Sequence, residues 1–153
     1  MRSLLYALGF SLVTLLCVFT SCQKTSLYNP TMTASLDSLP FAANGSGAAY
    51  CDTAADTAGM LHIHGNSDIF TPGTAVRPSL LLNVPRRVGT YTIGSGCSAT
   101  LVSARTGKSS THAASGSITI VGIRDGRVEG TFSFTCGNGE QIANGQFYTL
   151  LPK

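Results

Sequence analysis

Two histidines, His62 and His64, stand one residue apart in the run Met-Leu-His-Ile-His at 60–64. On a β-strand, residues i and i+2 point to the same side of the sheet, so both imidazoles could bind one metal ion. A third ligand would have to come from elsewhere in the chain, and the candidates are His112, Asp52, Asp56 and Asp68. Two histidines on the solvent face of an ordinary strand give the same pattern. We prefer this simpler interpretation and predict neither a metal nor another bound cofactor.

Three cysteines outside the N-terminal segment, Cys51, Cys97 and Cys136, are candidates for a disulfide in an exported protein. Cys136 continues the alternating face of Phe132 and Phe134, which predicts a small core residue. The favoured bridge is therefore Cys51–Cys97, and a domain without any bridge is the equal alternative. No histidine accompanies a cysteine in a motif that would make the thiol nucleophilic.

No arrangement of residues predicts an enzyme. The seven acidic residues stand mostly in turn contexts, and no serine lies in a Gly-x-Ser-x-Gly elbow between a strand and a helix. Tryptophan is absent and the five tyrosines are scattered, which gives no obvious aromatic platform for sugars. The formal net charge is +3 and no basic run occurs, so the sequence does not predict a nucleic-acid partner.

The N-terminal segment has the features of an export signal. Arg2 precedes an apolar stretch at 4–20, which is short for a spanning helix and ends in the small pair Thr20-Ser21 before Cys22. The residues Phe-Thr-Ser-Cys at 19–22 resemble the lipobox of bacterial lipoproteins, with a phenylalanine typical of Bacteroidota-type endings. The resemblance implies cleavage after Ser21 and a covalent diacylglyceryl group on the Cys22 thiol.

Two acyl chains on one residue anchor a protein to a membrane almost permanently, since each buried methylene contributes about 0.8 kcal/mol. We therefore divide the chain into a helical signal peptide at 1–21, a lipidated Cys22 with a polar tether at 22–30, and one domain at 31–153. The expected location is the outer membrane, on its periplasmic or its surface-exposed side, with the membrane as a partner through the lipid.

The domain from residue 31 onward shows short apolar runs separated by glycine, proline, asparagine and aspartate, which is typical of an all-β protein. We predict one antiparallel β-sandwich or small flattened barrel of about eight or nine strands. The predicted strands lie at 31–37, 47–53, 58–65, 76–84, 89–93, 97–105, 115–123, 127–136 and 140–150. An Asn144-Gly145 pair inside the last strand predicts a β-bulge.

The turn at Arg124-Asp125-Gly126 allows two competing strand registers. A two-residue loop pairs Ile123 with Val128, but then the isoleucines at 118 and 120 fall on the polar face. A three-residue loop pairs Ile123 with residue 127 and places Ile118 opposite Phe132. Burial of two isoleucines, at about 1.5–3 kcal/mol each, favours the longer loop.

Four strand motifs, in their order and spacing, resemble a family of short Bacteroidota-type lipoproteins of unknown function. They are Gly-Thr-Tyr-Thr-Ile at 89–93, Gly-Ser-Ile-Thr-Ile at 116–120, Val-Glu-Gly-Thr-Phe-Ser-Phe-Thr at 128–135 and Ile-Ala-Asn-Gly-Gln-Phe at 142–147. The resemblance covers most of 31–150 and implies an all-β fold and an envelope location, without an activity.

We therefore predict an envelope-anchored lipoprotein with a non-enzymatic structural or binding role, whose partner is an unknown protein or small ligand. The alternative prediction is a small-ligand-binding or metal-binding β domain that uses the face carrying His62 and His64.

Overall fold

The computed structural model describes residues 30–43, 50–55, 59–67, 77–102 and 110–151. These residues form ten strands in one antiparallel sheet, which confirms the all-β prediction. The strands are β1 (Thr31–Leu36), β2 (Leu39–Ala43), β3 (Tyr50–Ala55), β4 (Met60–Asn66), β5 (Ser79–Pro85), β6 (Gly89–Thr92), β7 (Ser98–Val102), β8 (Thr111–Arg124), β9 (Arg127–Cys136) and β10 (Gln141–Leu150). Within the same residues, no helix is long and apolar enough to cross a membrane.

The strand that the sequence did not predict is β2. It pairs with β1 through a two-residue turn in which Asp37 and Ser38 have φ angles of 45° and 72°. Two positive φ values are the signature of a type I′ hairpin turn, for which Asn-Gly and Asp-Gly are the usual sequences. Asp37 also ties this turn to β10, because its carboxylate accepts a hydrogen bond from the backbone N–H of Gln141 at 2.7 Å. The Asp-Ser turn therefore gave no recognisable signal.

The order of strands across the sheet is β2-β1-β10-β9-β8-β7-β5-β4-β3, and β6 pairs with β8. Along one edge β8 pairs with β9 over nearly its whole length. Along its other edge it pairs with β7 through Thr111 and His112, and with β6 from Ser117 to Ile120. The long strand β8 thus joins two parts of the sheet. We call β1, β8, β9 and β10 the bulged half, and β3, β4, β5 and β7 the regular half.

The sheet curls into a half-barrel, so that its two halves face each other across a shared core. Met32 of β1 packs over Gly65 of β4. Two hydroxyl contacts also cross the core. The Thr53 and Thr149 hydroxyl groups of β3 and β10 are hydrogen-bonded at 2.9 Å. The backbone N–H of Ala42 in β2 donates to the side-chain oxygen of Ser67, the residue that follows β4. All residues of the buried cluster come from the strands and turns between 32 and 147, so the domain carries its own core.

The two halves fill that core with different side chains. The regular half contributes aliphatic residues and one alanine: Leu61, Ile63, Leu80, Leu82, Val84, Ala99 and Leu101. The bulged half also buries aliphatic residues, but it adds three rings, Phe132, Phe134 and Phe147, whose neighbouring centroids are 6.1 and 6.3 Å apart. Each phenylalanine lies opposite a glycine of a neighbouring strand: the pairs are Phe132 with Gly145, Phe134 with Gly116 and Phe147 with Gly130. Gly145 leaves the space that the Phe132 ring occupies, and Gly130 leaves the space of the Phe147 ring. At Gly116, a Cβ atom would instead collide mainly with the backbone of β9.

The hairpin of β8 and β9 combines features of both predicted registers. The loop is the two-residue turn Asp125-Gly126, with φ angles of 52° and 70°, and Ile123 pairs with Val128. The expectation of a three-residue loop was therefore wrong. Ile118 nevertheless lies opposite Phe132, because a bulge at Val121 shifts the register between the turn and the isoleucines. Both isoleucines are fully buried, whereas Val121 is 57% exposed.

The bulge predicted at Asn144-Gly145 is confirmed. The pairing of β10 with β9 jumps from Ile142 to Gly145, and Asn144 has a φ of 54°. A third irregularity lies between Ala113 and Ser115, near the point where β8 changes its partner from β7 to β6. No register shift interrupts the three pairings of the regular half over the residues described.

Candidate functional site

The outer face of the bulged half and of the adjoining strand β6 carries a regular array of polar side chains. The strand register aligns five of them in one row across five strands: Thr33, Gln146, Thr131, Thr119 and Thr90. A parallel row contains Thr92, Ser117 and Ser133. Neighbouring strands lie about 4.8 Å apart and alternate residues on a strand about 7 Å apart, so the hydroxyl groups form a two-dimensional lattice. The Thr90 and Thr119 hydroxyls are in fact hydrogen-bonded at 3.0 Å.

Three adjoining hollows of about 310, 220 and 310 Å³ lie on this face. The first shares Glu129 and Tyr148 with the second, and Thr131 and Gln146 with the third, so the hollows form one shallow groove. We call it the hydroxyl groove. Its side chains on the outer face are Thr31, Thr33, Ser117, Thr119, Val121, Arg124, Arg127, Glu129, Thr131, Ser133, Asn144, Gln146 and Tyr148.

The groove follows β9 from Arg127 to Ser133, a length of about 20 Å at 3.4 Å per residue. Two bulges border it, at Val121 on β8 and at Asn144 on β10. A bulge bends its strand and increases the local twist, so it can raise one strand above its neighbour. Val121 and Asn144, which lie in these two bulges, both line the groove.

Charged groups lie at one end of the groove, next to the β8–β9 turn. Arg124 pairs with Glu129 at 3.2 Å, and the Arg127 guanidinium lies over the Tyr148 ring, 5.9 Å from its centre. A cation at this distance from an aromatic face is attracted by the ring electrons. The remaining length of the groove, toward Ser133, carries uncharged hydroxyl and amide groups.

The histidine pair lies on the outer face of the regular half, which we call the histidine face. His62 and His64 point to the same side of β4, as predicted, while Leu61 and Ile63 are fully buried on the other side. Nδ1 of His62 is 2.6 Å from the Asn83 side-chain oxygen, and the Asn83 amide donates to Ser98 at 2.9 Å. His62 is thus one end of a hydrogen-bonded row across β4, β5 and β7.

The described residues do not place the candidate metal ligands close together. His64 shares a row with Leu81, Thr100 and His112, which puts His112 three strands away, at about 14 Å. His112 bonds Thr100 at 3.0 Å instead. The backbone of Asp52 pairs with His64, but its side chain, like Asp56 and Asp68, lies outside the description. No group of three histidine, cysteine or acidic residues that could hold a metal occurs among the described residues.

A separate hollow of about 310 Å³ lies over the histidine face. Both histidines line it together with Leu81 and Val102, so its floor is more apolar than that of the hydroxyl groove. This hollow is a concave surface of the kind that the alternative prediction, a small ligand bound at the histidine face, requires.

Cys97 and Cys136 are buried free thiols. Burial raises the pKa of both, and the carboxylates of Glu140 and Asp37 help to raise the pKa of Cys136 to about 11. Cys136 is the small core residue that its place on the phenylalanine face predicted. Both described thiols are therefore protonated at neutral pH and poorly suited to nucleophilic chemistry.

The favoured disulfide between Cys51 and Cys97 is not formed, because Cys97 is free. The backbone of Cys51 in β3 lies in the same row as Leu101 of β7, three strands away, and Cys97 stands four residues before Leu101. Three strand spacings alone amount to about 14 Å, whereas the α-carbons of bridged cysteines lie within about 7 Å of each other. The side chain of Cys51 itself is outside the described residues.

The signal peptide at 1–21 and the lipidation site Cys22 also lie outside the described residues, so both stay predictions. The hydroxyl groove was missed by sequence reasoning, although its signal is visible afterwards. Alternating hydroxyl residues occur at 31 and 33, at 90 and 92, and at 131, 133 and 135. The sequence did not show that these runs lie side by side.

No family model matches the chain, and no curated protein or solved structure is significantly similar to it. The described residues thus form an all-β protein built from one curled antiparallel sheet. A polar groove lies on the outer face of its bulged half, and a histidine-lined hollow lies on the outer face of its regular half. The resemblance to short Bacteroidota-type lipoproteins stays a prediction.

Proposed function

We propose that this protein is an envelope-anchored, non-enzymatic binding module that uses the hydroxyl groove as its binding surface. The observation that carries the proposal is the continuity of the three hollows along β9. Their polar side chains come from four strands of the bulged half, all fixed by a packed core beneath. A rigid scaffold that presents convergent polar groups is typical of a binding site.

The chemistry of the described side chains supports binding rather than turnover. The two described thiols are buried, and Glu129, one of the two acidic residues that line the groove, is paired with Arg124. Catalysis by paired carboxylates would need a second acid across a cleft, at about 5–9.5 Å from the first. The nearest acid along the groove is Asp125 in the β8–β9 turn, exposed to solvent.

The anchor and the groove lie close together in the sequence. Thr31, which lines the groove, follows Cys22 by nine residues, so a fully extended tether spans at most about 30 Å. A lipid on Cys22 would hold the groove near the membrane surface. We place the protein at the outer membrane, on its periplasmic or surface-exposed side.

The anchor is tested by expressing the full chain and its Cys22→Ser variant in a Gram-negative host. We expect the parent chain to partition with the membrane fraction and to carry added lipid mass on Cys22. The variant should leave the detergent phase and keep its signal segment. Equal partitioning of both proteins, without added lipid mass, would overturn the anchored location.

The binding role is tested by nuclear magnetic resonance on the mature chain with Cys22→Ser, since the domain carries its own core. Envelope components of several classes are added in turn: neutral oligosaccharides, uronic acid oligosaccharides, phospholipid bicelles and short peptides. We expect at least one class to shift amide signals along the outer face of β1, β8, β9 and β10. If no class shifts those signals, the groove is not the binding surface.

A small-ligand role for the histidine face is the second candidate, favoured by the hollow that His62, His64, Leu81 and Val102 line. Zinc is the first probe, because imidazole is a common zinc ligand. Calorimetric titration should show one zinc per chain that is lost in a His62→Ala, His64→Ala double variant. A flat titration would remove the metal version of this candidate.

A further inference from the structure

We infer that the hydroxyl groove takes an uncharged polysaccharide chain laid along β9, an inference that rests on the proposed binding function. The central side chains are Thr33, Thr119, Thr131, Ser133 and Gln146. Each hydroxyl and each amide both donates and accepts hydrogen bonds. Sugar hydroxyls have the same dual character, so a lattice of such groups matches a polyhydroxylated ligand in either hydrogen-bond direction.

The charge distribution favours a neutral ligand. The carboxylate of Glu129 is paired with Arg124, and Arg127 lies over the Tyr148 ring. An anionic polymer would have to compete with Glu129 for Arg124, and a cationic one would have to displace that arginine. The hollow toward Ser133 is lined by uncharged residues alone. A neutral chain can occupy the groove without separating the existing pair.

The shape of the groove favours a polymer over a single small molecule. The groove is shallow and about 20 Å long, whereas small-molecule sites usually enclose most of the ligand surface. An extended chain that lies across the rows of hydroxyls would contact several of them at once. We therefore expect affinity to rise with the number of sugar units.

The backbone pairing argues against an extended peptide as the occupant. Peptides that add to a sheet use the unpaired N–H and C=O groups of an edge strand. Here β9 lies between β8 and β10 and is paired with both, so the groove floor offers mainly side chains. The only aromatic side chain on the groove's outer face, Tyr148, lies at one end, where a terminal sugar ring could pack against it.

Because the groove is open and offers a single tyrosine, we expect weak binding, with a dissociation constant of about 1 mM for a short oligosaccharide. Affinity of this order is measured by nuclear magnetic resonance titration of the mature chain with Cys22→Ser. The ligands are neutral oligosaccharides of two and six sugar units, built from glucose, mannose and N-acetylglucosamine. A hexamer of a uronic acid and a neutral tetrapeptide are the competing probes.

The test variant is Thr131→Val combined with Gln146→Leu, which removes hydrogen-bonding groups from the centre of the groove while keeping similar shapes. Both side chains are exposed, so the fold should persist, and the amide spectrum checks this. The matched control is Thr135→Val, on the same face of β9 but outside the three hollows. At least one neutral hexamer should bind more tightly than its dimer, lose at least tenfold in the test variant, and change less than twofold in the control.

The outcomes separate the two proposals. If the uronic acid hexamer or the peptide binds in the groove and the neutral hexamers do not, the polysaccharide inference fails while the binding function stands. Neutral binding that the test variant leaves unchanged also overturns the inference, because the ligand then lies elsewhere. If no probe, including the bicelles used above, shifts groove signals, both the inference and the proposed function fail.

Discussion

The bulged half and the regular half share one sheet and one core but differ in how their strands are paired. In the regular half, β3, β4, β5 and β7 pair without a register shift over the described residues. In the bulged half, each of the three pairings among β1, β10, β9 and β8 contains at least one shift. The broad polar groove lies on the irregular side, where bulges bend the strands.

This difference allows the molecule to combine a regularly packed core with a surface groove. Strict alternation in the regular half buries every second residue, as it does along β4 and β5. A bulge adds a residue that does not enter the core, so the strand can curve while its apolar residues stay inside. Variants in the two halves should therefore differ in stability.

Single-residue deletions should have opposite consequences in the two halves. Deleting Leu81 from β5 would turn Leu82 and Val84 outward and place Asn83 in the core. The lost burial, about 1.5–3 kcal/mol for each apolar chain, is comparable to the whole stability of a domain. We expect this variant not to unfold cooperatively in urea.

Deleting Val121 from β8 should instead leave a regular ladder, because this residue is the extra one in its bulge. We expect the free energy of unfolding to change by about 1 kcal/mol or less. Similar losses in both deletion variants would mean that the two halves do not differ in this way.

Adding a methyl group at Gly130 should destabilise the bulged half. A Cβ atom there would collide with the Phe147 ring and with the Thr119 carbonyl oxygen. We expect Gly130→Ala to lower the free energy of unfolding by about 2–3 kcal/mol, as overpacking does. The matched control is Gly137→Ala, whose new Cβ would have its nearest neighbour at 3.8 Å. Equal urea midpoints for the two variants would contradict the proposed ring-to-glycine packing.

High pH should destabilise the fold through Cys136 in β9. Its pKa is raised from 9.0 to about 11 in the folded chain, so the unfolded chain loses this proton first as the pH rises. The stabilising effect is complete below pH 9 and is lost between pH 9 and about 11, with a total of about 2–3 kcal/mol. Urea titrations at pH 8 and 10.5 should show a smaller drop for Cys136→Ala. An identical drop in both proteins would exclude this source.

The smallest expected effect concerns the hydroxyl contact that joins the two halves. Thr149 is 1% exposed and bonds Thr53 at 2.9 Å. Thr53→Val leaves a buried hydroxyl without this partner and should cost about 1–2 kcal/mol, as should Thr149→Val. The double variant removes both groups and should cost less than the two single variants together. Strict additivity in this cycle would show that the contact contributes nothing.

Every strand except β2 could be predicted, because alternating apolar residues must face the core. The hairpin of β8 and β9 shows where such reasoning stops. The turn chemistry of Asp125-Gly126 indicated one register and the burial of Ile118 and Ile120 indicated another. The chain satisfies both by inserting Val121 as a bulge. Two local rules that conflict can be reconciled only by knowing the pairing of the whole strand.

The candidate sites also combine features that the sequence predicted with features that it did not predict. The shared side of His62 and His64 follows from the two-residue period of a strand, and the sequence predicted it. Their distance from His112 depends on strand order, in which β8 lies three strands away from β4. The separation of Cys51 from Cys97 depends on the same order, in which β3 lies three strands away from β7. Spacing along the chain contains no information about that order.

The all-β class, most strands, the bulge at Asn144 and the apolar residues of each strand could all be predicted from the sequence. The sequence did not predict that the alternating threonines of β1, β6, β8 and β9 share rows on one face, because these rows depend on how the strands pair in the folded chain. The physical reason is that alternation is a local property of each strand. A groove requires several strands to be neighbours in one register, which is set by the packing of the core.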